Sequence, residues 1–172
     1  MSRTPFDHVP VTDPGIPNLA SVPRFLLWVG LKQRRIIATG VFFGVINLLC
    51  VAIMPGVLGR GIQAIADQKN EELQQWVLVA LLIGTLQAAA GNLRHRRAVG
   101  SWISAATRLQ QLVARKAVDL GADLPRLVST GEVSAINSND VERVARVYDL
   151  IPRLTGAIVS FIFVSILLIT SS

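Results

Sequence analysis

IIATGVFFGVINLLCVAIMPGVLG, residues 36 to 59, is a run of 24 residues without a single charge. At 1.5 Å per residue a helix over it reaches about 36 Å, enough to cross a hydrocarbon core of ~30 Å with some tilt. Pro55 near its far end predicts a kink, which a membrane span tolerates better than a soluble helix does. Two further runs repeat the pattern. The chain is uncharged from Leu73 to Leu93, and again over the 19 residues from Leu154 to Ser172.

The whole composition agrees with lipid rather than water. Hydrophobic residues make up 51% of the 172 and charged residues 16%, against roughly 25% charged in soluble chains. The polar surface is therefore too small to coat a globule, and mean hydropathy is +0.50. A formal charge of +6 would suit nucleic acid, but the charges cluster beside the apolar runs, where the positive-inside rule puts them. No nucleic-acid partner is expected. The single Cys50 excludes a disulfide framework. His8 and His95 stand far apart, so no metal site is expected.

Charge counts give the orientation. Arg3, Arg24, Lys32, Arg34 and Arg35 precede the first span against Asp7 and Asp13, and Arg94, Arg96 and Arg97 follow the second. Between spans one and two stand Arg60 and Lys69 against Asp67, Glu71 and Glu72. Basic flanks stay in the cytoplasm. The N-terminus and residues 94–153 are thus placed inside, and a loop over 60–72 outside. Residues 1–21, with four prolines, read as a disordered cytoplasmic tail. VPRFLLWVGLKQRR, residues 22–35, reads as an interfacial helix with Phe25, Leu26, Trp28 and Leu31 toward lipid and Lys32, Arg34 and Arg35 at the headgroups. The alternative is a basic flank of the first span.

Residues 94–153 do not read as a loop. Trp102, Ile103, Ala106, Leu109, Val113 and Ala117 recur near the helical period, with no proline before Leu120. The second span is therefore expected to continue from about Glu72 to about Leu120, roughly 70 Å. Gly121 and Pro125 break it. A non-helical tip over 121–138 is expected, and then a helix capped by Asn139 or Asp140. Asp140–Arg143, Glu142–Arg146 and Asp149–Arg153 are acid-first pairs suited to one solvated helix. The fold class is an all-α membrane protein. It has three transmembrane helices (about 36–59, 73–93 and 154–172), an interfacial helix, and a long cytoplasmic helical hairpin over 94–153.

This order of elements resembles the first half of the transmembrane domain of an ABC exporter. MPGVLGRGIQAIAD, residues 54–67, is similar to the family's end of span one. STGEVSAINSNDVERV, residues 129–144, is similar to its Thr-Gly-Glu stretch, with Asp140-Val141 nine residues after Gly131. The resemblance covers residues 22–172 and makes 36–172 a partial transmembrane domain. Leu124, Pro125 and Leu127 stand where the family often has an aromatic pair, and Ile136 where it often has arginine.

The resemblance implies an ATP-driven permease that moves an amphipathic, lipid-like, drug or peptide substrate, in a bacterial plasma membrane. It implies a coupling segment at Leu124, Pro125, Arg126, Leu127, Val128, Ser129, Thr130, Gly131 and Glu132. That segment would dock on an ABC nucleotide-binding domain in the same chain or a separate one. It also implies a second transmembrane domain, as homo- or heterodimer. ATP and Mg belong to the full-length family. This chain has no G-x-x-x-x-G-K-[ST] loop, so no enzymatic activity and no cofactor of its own are expected. Three spans of six, with the sequence stopping in an apolar run, read as an N-terminal fragment. Asn47 and Gln87 are intramembrane polar residues, suited either to a helix–helix hydrogen bond or to lining a substrate cavity. The Arg94–Arg97 cluster reads as a topology anchor or an anionic-headgroup contact. Ser160 and Ser165 are expected to bond their own helix. The alternative function is a small membrane scaffold whose hairpin binds a cytoplasmic partner without transport.

Overall fold

The computed structural model describes residues 13–171, and all regular structure among them is helical. Helix α1 spans Val22–Lys32, α2 Arg34–Ala66 and α3 Asn70–Leu120. After a 3₁₀ turn at Gly121–Asp123 come α4, Leu124–Leu127, and α5, Thr130–Ala135. A π-helical segment at Ile136–Asp140 joins α5 without a break to α6, Val141–Ser171. Among the described residues, three helices are long and apolar enough to cross a membrane: those containing the expected spans.

The chain divides into two compact units. The first holds the described residues up to Ala38 together with Arg96–Ile151. Its core is Val29 from α1, Ala105 and Leu109 from α3, and Val141, Ala145 and Tyr148 from α6. On α3 and α6 these positions fall three, four or seven residues apart, so each of the two helices turns one stripe inward. Ala105 and Ala145 are buried, and their small size lets the backbones approach. Phe25 and Trp28 also pack against this core, their rings stacked at 6.4 Å. That corrects the lipid-facing assignment of these two aromatics. The outward apolar residues of α1 are Val22, Leu27 and Leu31. An apolar pattern on both sides of a short helix does not say which side meets protein.

The tail expected over 1–21 lies partly outside the described residues, at 1–12. Residues 13–20 lack regular structure yet are anchored: Arg108 Nη1 donates to Pro14 O at 2.9 Å.

The second unit holds Thr39–His95 and the described residues from Pro152 onward. On α2 its buried positions are mostly small: Gly40, Gly44, Cys50, Val57 and Ala64. Large side chains such as Phe42, Leu78, Leu81 and Phe161 are exposed. This inversion suits helices that associate in lipid, where tight backbone packing replaces the hydrophobic drive. The expected 60–72 loop is in fact a three-residue turn at 67–69. Gln68, at φ +57, ends α2 with Gln68 N donating to Ile65 O and Lys69 N to Ala64 O. That pair of bonds is a Schellman cap. The polar flanks stay helical, with Arg60 stacked over Trp76 at 5.0 Å and Lys69 paired to Glu72 at 3.0 Å.

Candidate functional site

The tip joining α3 to α6 carries the first group of candidate residues. Leu120 is the last α-helical residue because Gly121 turns left-handed, at φ +47, a conformation that costs glycine little. Helix α4 opens at Leu124 with Pro125 in its first turn, and that single turn closes with Val128 N donating to Leu124 O at 3.0 Å. The following helix does not start at Asn139 or Asp140 as expected. Ser129 Oγ accepts from Glu132 N at 3.2 Å, so the cap stands ten residues before Asn139. The sequence signal is Ser129-Thr130-Gly131-Glu132, which has the S-x-x-E spacing of a capping box. The expected non-helical tip over 121–138 therefore shrinks to the irregular residues around Val128 and Ser129.

Arg126, Ser129, Gly131 and Glu132 are exposed, while Leu124 and Val128 turn half-inward. The two half-buried residues line a cavity of about 360 Å³, with Val113, Ala117 and Val133 opposite. Arg126 reaches back to Asp123 at 3.4 Å. Side chains of Pro125, Leu127 and Thr130 lie outside the described set. Among the expected ion pairs, Glu142–Arg146 forms at 2.6 Å. The surface so presented is a short charged knob on an apolar footing, suited to docking rather than to bond chemistry. No cluster of metal-ligating side chains occurs among the described residues. Ser129→Ala should cost about 1 kcal/mol of local stability. Faster hydrogen exchange confined to residues 130–135 would show it, and unchanged exchange there would refute the cap's role.

Asn47 and Gln87, the second group, do meet. Asn47 Nδ2 donates to the main-chain oxygen of Gln87 at 3.0 Å. A Cβ at Gly91 would lie 3.0 Å from that same Nδ2, so Gly91 leaves the seat for the amide. The helix–helix bond accounts for Asn47. Ser160 also bonds across helices rather than within its own: its Oγ donates to Leu48 O at 3.3 Å.

A third group joins Arg94, from the basic cluster singled out in sequence, to Gly44 and Gly156, which are not. A Cβ at Gly44 would lie 2.7 Å from Pro152 O and 3.3 Å from Arg94 Cδ, and one at Gly156 would lie 3.1 Å from Gly44 O. The three long helices of the second unit thus converge on Gly44. Gly40-Val-Phe-Phe-Gly44 has the small-xxx-small spacing that could have flagged it.

No family model, curated protein or solved structure matches the chain.

Proposed function

We propose that the chain is the N-terminal portion of the transmembrane domain of an ATP-driven ABC exporter. The observation that carries this reading is the length of α3, 51 residues, of which only the stretch before Arg94 is free of charge over a membrane-spanning length. Helix α3 continues 26 residues past that point, and the helix begun at Thr130 returns over a comparable polar length before its own apolar run at Leu154. Hairpins of this kind act as levers when a partner moves their tip. The exposed knob around Arg126 and Glu132 supplies a place for that partner, and the motif resemblance over 129–144 favours a nucleotide-binding domain. ATP and Mg would be held by that domain.

In the intact transporter, replacing residues 122–132 with a Gly-Ser linker of equal length should leave membrane insertion and basal ATP hydrolysis in place. Substrate-stimulated hydrolysis and transport should be lost. Stimulated hydrolysis equal to wild type would overturn the assignment of the tip. Absence of any ATP hydrolysis dependent on this protein would overturn the exporter reading itself, leaving a scaffold.

A further inference from the structure

The convergence on Gly44 places an arginine in an unusual position. The Arg94 stem lies against the bare backbone of α2, 3.3 Å from where a side chain would begin. Arg94 Nε is sealed from solvent and meets no hydrogen-bond acceptor. At this level α3 changes from the uncharged run 73–93 to Arg94-His95-Arg96-Arg97, and α6 changes from Arg153 to the uncharged run beginning at Leu154. Two helices thus change between charged and uncharged sequence together at this level. On α2 the same level falls eight residues, or about 12 Å, inside its apolar run. The stem therefore lies along apolar surface beside this change in sequence, as a long basic side chain can.

A guanidinium stays charged at any accessible pH and presents a rigid fork of donors that fits phosphate oxygens in pairs. An unmet buried donor is costly, and the described residues offer Nε no acceptor. We propose that Arg94 binds the phosphate of an anionic membrane lipid. The Gly44 notch fixes the stem, and a turn of the guanidinium presents Nε and one Nη to two phosphate oxygens. The inference rests on the membrane location of the chain and not on the exporter reading.

The test uses the intact protein in phosphatidylcholine vesicles doped with phosphatidylglycerol, followed by extraction and native mass spectrometry. Wild type and Arg97→Gln should each retain a phosphatidylglycerol that Arg94→Gln loses. Arg94→Lys, which keeps the charge but not the fork, should retain it weakly and controls for folding. Equal retention by Arg94→Gln and wild type would overturn the proposal. So would displacement of the lipid by inorganic phosphate, which would reassign the site to a soluble anion. Failure of wild type to enter the vesicles would overturn the membrane location, and the lipid site with it.

Discussion

Gly44→Ala should destabilise the protein by about 1–3 kcal/mol, the range for forcing extra atoms into a packed site. The methyl would stand 2.7 Å from Pro152 O. A main-chain carbonyl cannot rotate away as a side-chain end can, so α2 and α6 must separate. Gly156 faces the same crossing from the other side, its absent Cβ lying 3.1 Å from Gly44 O. Separation would loosen both contacts, and in lipid such close contacts are much of what holds helices together. Gly44→Leu should prevent the crossing altogether. Gly56→Ala and Gly59→Ala are the controls, since a Cβ at either meets nothing within 4 Å. In a helix interior they should be neutral or gain up to about 1 kcal/mol. Unfolding in mild detergent measures all four. Equal stabilities for Gly44→Ala and Gly59→Ala would refute the packing account.

What the sequence discloses and what it hides follow one physical line. Charge-free runs report where lipid can be, so the three helices long and apolar enough to cross a membrane are readable from the runs beginning at Ile36, Leu73 and Leu154. Helix ends are not, because polar residues at 60–66 and 129–140 continue a helix whenever a cap closes it. Gln68 ends α2 in a conformation usually left to glycine, and no residue type announces that. Ser129 has a legible capping pattern, but Asn139-Asp140 offers a competing one, and only packing decides between them. The apolar pattern of α1 does not separate lipid from protein, so Phe25 and Trp28 are misplaced from sequence while Leu31 stays outward. Asn47 is legible as a partner for another helix, but its acceptor on Gln87 depends on the space at Gly91. In sequence Arg94 looks equivalent to its basic neighbours. Its distinction comes from Gly44, fifty residues away, and no local pattern contains it.

Tyr148→Ala should be among the most damaging changes in the first unit, costing about 3–5 kcal/mol as large aromatic truncations do. Tyr148 is 2% exposed in the core with Val29, Ala105 and Ala145. Its ring lies against α1, where a Cβ at Gly30 would be 3.4 Å from Cε1. Its hydroxyl donates to Leu26 O at 2.7 Å. Helix α1 has 11 residues, too few to persist unaided in water, so its order depends on such contacts. Tyr148→Phe keeps the ring and removes only the hydrogen bond, for about 1 kcal/mol. Hydrogen exchange over residues 22–32 separates the two contributions. Large loss of protection in Tyr148→Ala with slight loss in Tyr148→Phe means that packing holds α1. Equal losses would mean that the single bond to Leu26 holds it, and the packing account would fall.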